Sequence, residues 1–284
     1  MKSTVNHPLL NSKNVTLDLL RLDQIHSLIS GNKWYKLKYN IDDALAKNKN
    51  TLLSFGGAYS NHLHALAYMG KMLSLKTIGI VRGECVKNDT LNDCEAWGMK
   101  LIFISREEYK NKSNIDFLRK IITSFSDAYI IPEGGANQWG FLGCKEILSQ
   151  TDKAEYDVFC CSVGTSITFA GIIDSLPSSK IAYGFCAMKN GEYLQNTIKE
   201  YTPNSNYQLI TQYHFGGFAK QNQQLLTFMK SFQSVNNIEL DFVYDAKMLF
   251  GIFDLIKTTN LFENKKILAI HTGGLQGNRS LKNN

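Results

Sequence analysis

The chain has 284 residues, 44% of them hydrophobic, and a formal charge of +6. That length buries a sizeable core in two lobes, while no apolar run approaches a membrane span and the scattered lysines lack the clustered basic face that nucleic acid requires. The start, MKSTVNHPLL, has no signal-peptide core, which predicts a cytoplasmic protein, and six cysteines without a C-x-x-C pair argue against a zinc centre or disulfide framework.

Strand and helix patterns alternate along the chain. Residues 16–22 (TLDLLRL) predict a strand, and Leu37, Ile41, Ala44 and Leu45 then recur at helical spacing. TLLSF predicts a strand running into Gly56-Gly57, followed by a helix with Ala65, Leu66, Met69 and Leu73 on one side. KTIGIV, KLIFI and AYIIP are further strands, the last leading into Gly134-Gly135. From about residue 140 the order repeats through YDVFCC, KIAYGFC, YQLITQ and KKILAI. Adjacent Cys160 and Cys161 within a strand should be reduced thiols packed on opposite faces. Such alternation predicts an α/β protein with right-handed crossovers and parallel sheets, and a domain boundary near PEGGANQWGFLG.

Glycines punctuate the strand ends. The pairs Gly56-Gly57, Gly134-Gly135, Gly216-Gly217 (after LITQYHF) and Gly273-Gly274 each close an apolar run, and YDVFCCSV ends in Gly164-Thr165-Ser166-Ile167-Thr168. Glycine lets backbone approach a ligand closely, and open parallel sheets bind ligands at the carboxyl ends of their strands. The five ends therefore outline the rim of a small-molecule site.

Three constellations carry chemistry. Ser30-Gly31-Asn32-Lys33 opens a helix, with Asn32 as candidate N-cap and Lys33 at the first helical position. There the helix dipole disfavours an ammonium, giving a better imine-forming amine; Lys36, one turn on, competes for the role. Ser60 and Asn61 in GGAYSNH lie near exposed backbone N–H groups suited to a carboxylate, although Ser60 reads equally well as a helix cap. His62 and His64, two apart, cannot share a helix face and do not suit a metal pair. Gly164, Thr165, Ser166, Ile167 and Thr168 offer N–H groups and hydroxyls to a compact phosphate, without the lysine of a nucleotide P-loop. An amine, a carboxylate nest and a phosphate cup together suggest pyridoxal 5′-phosphate.

Here the sequence also resembles a known family. SGNKWYKLKYN is similar to the GGNKxRKLEY segment of the 1-aminocyclopropane-1-carboxylate deaminase/D-cysteine desulfhydrase family, and FGGAYSNHLHALA to its GGxxSNHxRxxA segment. PEGGANQWGFLG, GTSITFAG, VYDAK and HTGG match further segments in the right order, from about Leu17 to Gly274. The resemblance implies the tryptophan-synthase β-like fold of fold type II pyridoxal-phosphate enzymes: two lobes, each an open, mostly parallel sheet with helices on both faces. It implies a large cofactor-binding domain of residues 1–36 plus 140–284, a small domain of residues 37–139 inserted in it, and a homodimer. It implies Lys33 as the imine lysine, Ser60 on the substrate carboxylate, Asn61 on the cofactor's ring hydroxyl, and Gly164 to Thr168 on the phosphate. Tyr244 would sit over the reacting carbon, with Thr272 and Asp245 beside the pyridine nitrogen.

The chain departs from the pattern at Trp34-Tyr35, where an arginine is usual at the second place, at Phe218, where relatives place a tyrosine, and in a shorter N-terminus. The deaminases resemble VYE with HLGG, the desulfhydrases a small neutral residue with HTGG; this chain has Asp245 with Thr272. The expected activity is that of a lyase or deaminase on a small amino acid, D-cysteine desulfhydration ahead of 1-aminocyclopropane-1-carboxylate deamination. A protein that binds the cofactor without significant catalysis is the alternative of another class. Neither nucleic acid nor membrane is an expected partner.

Overall fold

Ten strands form two sheets in a computed structural model that describes residues 1–29 and 31–283. They are β1 (Lys2–Thr4), β2 (Thr16–Arg21), β3 (Thr51–Gly56), β4 (Lys76–Arg82), β5 (Met99–Ile104), β6 (Ala128–Ile130), β7 (Val158–Val163), β8 (Ile181–Cys186), β9 (Tyr207–Ile210) and β10 (Lys266–His271). The six-stranded sheet runs β1-β2-β10-β7-β8-β9 and the four-stranded sheet β5-β4-β3-β6. All pairings are parallel except β1 with β2. The fold is therefore α/β with two mostly parallel sheets, and the antiparallel β1 is an edge strand that the sequence reading did not anticipate.

Side-chain alternation divides each sheet between two cores. Val158 and Cys160 of β7 join Ile267 and Ala269 of β10 on one face. Phe159 and Cys161 join Leu268 and Ile270 on the other. The neighbouring thiols are thus free, buried and packed on opposite faces. In the four-stranded sheet Leu52 faces one core, while Leu53 and Phe55 face the other. Strands covered on both sides read as continuous apolar runs, which is why they were visible in the sequence. Among the described residues no helix is long and apolar enough to cross a membrane.

One strand end differs from expectation. The run LITQYHF does not extend as a strand to Gly216; β9 stops at Ile210. Tyr213 and Phe215 instead pack against Phe250 of the Asp245–Thr258 helix, with ring centroids 6.3 and 5.0 Å apart.

Candidate active site

The carboxyl ends of β2, β10 and β7 lie side by side, with Arg21 paired in register to His271 and Ile270 to Cys161. The chain leaving each strand contributes to one site, as parallel-sheet geometry requires. After β2, Gly31 caps the Asn32–Ala46 helix with φ 73° and ψ −151°. The cap is thus Gly31, not Asn32; Ser30 lies outside the described residues. A Cβ at position 31 would lie 1.7 Å from the Thr272 carbonyl oxygen, to which Asn32 N–H donates at 3.1 Å. Only glycine permits this approach. Gly31→Ala should destabilise the protein by more than the roughly 1–3 kcal/mol of backbone strain alone, read as a lower denaturant midpoint.

With its backbone committed to Thr272, Asn32 turns its amide outward from the helix. Its Nδ2 donates to Thr168 Oγ1 at 2.8 Å, and its Oδ1 accepts from Lys33 Nζ at 2.7 Å. One turn on, buried Lys36 donates to Thr165 Oγ1 at 3.1 Å. Both lysines therefore face the small-residue loop between β7 and the Ile167–Ser175 helix. Burial first, then the charge of Lys36, brings the Lys33 amine down to about 7. The direction matches the sequence expectation, but desolvation rather than the helix dipole dominates. Lys36 is also lowered by burial, though its hydrogen bond ties it to Thr165.

The loop itself is tightly shaped. Ser166 adopts φ 65°, a left-handed conformation uncommon for serine, and its buried Oγ has no hydrogen-bond partner. Gly164 lies under Tyr244, since a Cβ there would be 2.9 Å from the ring. Tyr244 precedes the Asp245–Thr258 helix and makes an edge contact with Phe218, centroids 6.0 Å apart. Phe218 keeps the aromatic contact but supplies no hydroxyl.

Asp245 is fully buried and its Oδ1 accepts from Thr272 Oγ1 at 3.0 Å and Ser162 Oγ at 3.2 Å. Burial pushes its carboxyl up to about 7 against the pull of these donors. Asp241, which the sequence reading passed over, holds the start of the same helix. It accepts backbone N–H bonds from Val243, Tyr244 and Asp245 at 3.0, 3.0 and 2.8 Å. An Asp four residues before an apolar helical run is the sequence signal that could have found it.

The carboxylate-nest motif approaches from the other sheet. Ser60 caps the Asn61–Leu73 helix by accepting from Leu63 N–H at 3.2 Å. Asn61 reaches the β10 loop: a Cβ on Gly274 would lie 2.7 Å from its Nδ2, and its buried Oδ1 has no partner. His62 bonds Ser54 Oγ at 2.9 Å, and burial holds its ring well below the ordinary histidine range, so it is neutral. His64 lies against Asp93 at 3.1 Å, well apart in role from His62. The Gly134-Gly135 turn closes one side, a Cβ at Gly134 falling 3.1 Å from Thr165.

A third buried lysine, Lys247, is already used. Its ammonium donates to the His214 and Gly217 carbonyls at 2.9 and 2.8 Å, fastening the loop that carries Phe218. The structure thus brings Lys33, Asn61, Gly164 to Thr168, Tyr244, Asp245 and Thr272 into one contiguous set of contacts. Ser60 adjoins this set through Asn61, and its own hydroxyl serves the helix. Unpartnered Asn61 Oδ1 and Ser166 Oγ, a lysine near neutrality, and a loop of small residues fit a phosphorylated aldehyde cofactor such as pyridoxal 5′-phosphate.

No family model matches the chain. It is 30% identical over 282 residues to a putative 1-aminocyclopropane-1-carboxylate deaminase of Thermotoga maritima, spanning 91% of this chain and 88% of that protein. It is 28% identical to the mitochondrial bifunctional D-cysteine desulfhydrase/1-aminocyclopropane-1-carboxylate deaminase of Arabidopsis thaliana, spanning 88% and 70%. Among solved structures, an ACC deaminase homologue superposes with a TM-score of 0.83 at 24% identity, covering 100% of this chain and 91% of that one. The O-acetylserine-dependent cystathionine β-synthase of Helicobacter pylori shares the fold with a TM-score of 0.70 at 16% identity, covering 99% and 93%. With these likenesses spanning nearly its whole length, the chain belongs to the 1-aminocyclopropane-1-carboxylate deaminase/D-cysteine desulfhydrase family of pyridoxal-phosphate-dependent enzymes of fold type II.

Proposed function

We propose that this enzyme binds pyridoxal 5′-phosphate through Lys33 and acts on a small amino acid as a D-cysteine desulfhydrase, releasing sulfide, pyruvate and ammonia. The observation that carries the reading is the bridge from Lys33 through Asn32 to Thr168. It ties an amine near neutrality to the loop whose N–H groups and hydroxyls suit a phosphate. When bound, the cofactor supplies an electron sink for negative charge at the substrate α-carbon. Gly164, Thr165, Ser166, Ile167 and Thr168 would hold its phosphate, Asn61 its ring hydroxyl, and Thr272 with Asp245 the side of its ring nitrogen. Lys33, balanced between amine and ammonium near pH 7, is suited to take and return a proton at the α-carbon. Tyr244, whose hydroxyl is kept protonated by burial, would cover the reacting face. In the same reading residues 37–139, which contain the four-stranded sheet, form a small domain inserted in the large one.

The second reading, 1-aminocyclopropane-1-carboxylate deamination, draws on the buried carboxylate of Asp245, which stands where a neutral residue would favour the desulfhydrases. Retention of Lys33, Ser60 and Tyr244 counts against a protein that merely binds the cofactor.

Ser60 gives a direct test of substrate anchoring. If its hydroxyl and the neighbouring N–H groups hold the α-carboxylate, Ser60→Ala should weaken amino-acid binding by about 1.5–3 kcal/mol. The same change removes a helix cap, at a cost of about 1 kcal/mol in stability. Ser60→Gly separates the two, because it loses the substrate contact but only a few tenths of the cap. Spectral titration of the loaded protein with amino acids measures the first effect and urea unfolding the second. Unchanged amino-acid affinity in both variants would leave Ser60 as a helix cap alone.

A further inference from the structure

His271 is fully buried at the end of β10, and its two ring nitrogens have different surroundings. Nε2 lies 2.9 Å from the Glu239 carbonyl oxygen. A carbonyl only accepts, so Nε2 carries a hydrogen. Nδ1 lies 3.2 Å from Asp245 Oδ2 and 3.6 Å from Asp23 Oδ1. Asp245 Oδ2 is buried and has no hydrogen-bond partner. Asp23 is itself gripped by Arg21, whose Nε and Nη2 donate to its two oxygens at 2.8 and 2.6 Å. Bare Nδ1 facing two carboxylates would set lone pairs against lone pairs.

One contact suits a bare nitrogen: Gly273 N–H points at Nδ1 from 3.2 Å. That contact leaves Asp245 Oδ2 without a donor, and one proton held between Oδ2 and Nδ1 satisfies both atoms. Charge balance points the same way. Arg21, Asp23, His271 and Asp245 sum to zero with one proton held between Nδ1 and Oδ2, and Asp241 is satisfied separately by its three backbone N–H donors. Among the described residues the other cationic groups that interact with Asp241 or Asp245 are Lys33 and Lys247, both lowered by burial and tied to neighbours.

We propose that His271 is a positioning residue that shares one proton with Asp245 across Nδ1 and Oδ2, and so withholds that carboxyl group from the ring nitrogen of the cofactor. This rests on the proposed placement of Asp245 and Thr272 beside that nitrogen. Exposure agrees: Thr272 keeps 7% of its surface whereas Asp245 has none, so the threonine and not the aspartate retains contact with solvent. Arg21 and Asp23 form the far end of this set of contacts and hold the imidazole from behind.

Nitrogen NMR of the full-length protein labelled at histidine tests this, with and without pyridoxal 5′-phosphate. Nε2 of His271 should show a protonated shift, and the Nδ1 shift should move when Asp245 is replaced by alanine. An Nδ1 shift left unmoved in Asp245→Ala would overturn the proposal. In His271→Gln, Asp245 loses its partner, and cyclopropane opening should rise at least about tenfold relative to sulfide release. An unchanged ratio in a folded, cofactor-loaded His271→Gln overturns the positioning role. Cofactor labelling at a lysine other than Lys33 would sink the placement of the cofactor while leaving the ring protonation standing.

Discussion

Borohydride reduction of the cofactor-loaded protein should fix the label on Lys33, and Lys33→Ala should lose both the covalent link and the visible absorbance. Some affinity for the phosphate should remain, because Thr165, Ser166 and Thr168 hold their places independently of the amine. Loss of the group that moves protons at the α-carbon should cost on the order of 10²–10⁴ in turnover, beyond the loss of covalent attachment. Peptide mapping decides between the two lysines: a label on Lys36 would show that its bond to Thr165 breaks on loading and that Lys33 is the spectator.

The Lys33 amine also leaves a signature in the cofactor-free protein. Its folded pKa of about 7 lies below the unfolded 10.5. Between those values the unfolded chain binds a proton that the native state does not, so stability rises with pH across that window. Lys33→Met should therefore gain stability over wild type below about pH 7, and the gain should fade as pH approaches 10.5. Urea midpoints across that range measure it; a pH-independent difference would mean that the amine is not strained by burial.

The sequence was legible where local chemistry decides the structure. Strands such as YDVFCC and KKILAI are buried on both faces, so their apolar runs have no competing explanation. β1 escaped notice because KST has no apolar pattern, and only its pairing with residues 18–20 makes it a strand. LITQYHF was read too far because aromatic residues can be apolar for packing on a helix as well as for a sheet. In the site, Gly31 and the small-residue loop were visible as motifs, but the partners of Asn32 were not. Its cap role was inferred from residue type alone, and the bond to Thr168 spans 136 positions. Lys33 and Lys36 share a face, so spacing left the choice open; their different partners are a tertiary fact. The pairing of His271 with Asp245 is equally invisible along the chain, although both residues stood within recognised segments.

D-cysteine should be converted to sulfide, pyruvate and ammonia, with 1-aminocyclopropane-1-carboxylate turned over poorly or not at all. A neutral hydroxyl beside the pyridine nitrogen does not keep it protonated and leaves a weaker electron sink. That suffices for β-elimination, where thiolate is a good leaving group as the α-proton departs. Opening a cyclopropane has no such leaving group and benefits from a carboxylate that holds a proton on the ring. Here the carboxylate is occupied: Asp245 Oδ1 accepts from Thr272 and Ser162, and Oδ2 faces His271. Thr272 has one hydroxyl proton, so turning it to the ring nitrogen means leaving Asp245, which keeps Ser162 as donor. Asp245→Glu adds the methylene that would carry a carboxylate toward the nitrogen, and Thr272→Leu removes the hydroxyl that, in the proposed placement, would stand between. The double variant should gain at least about tenfold in cyclopropane opening relative to sulfide release, equivalent to about 1.4 kcal/mol between the two transition states. Both substrates should be assayed on wild type and double variant at equal cofactor loading. Efficient cyclopropane opening by the wild type, with no sulfide from D-cysteine, would reverse the assignment and place Asp245 in the role of the deaminase glutamate.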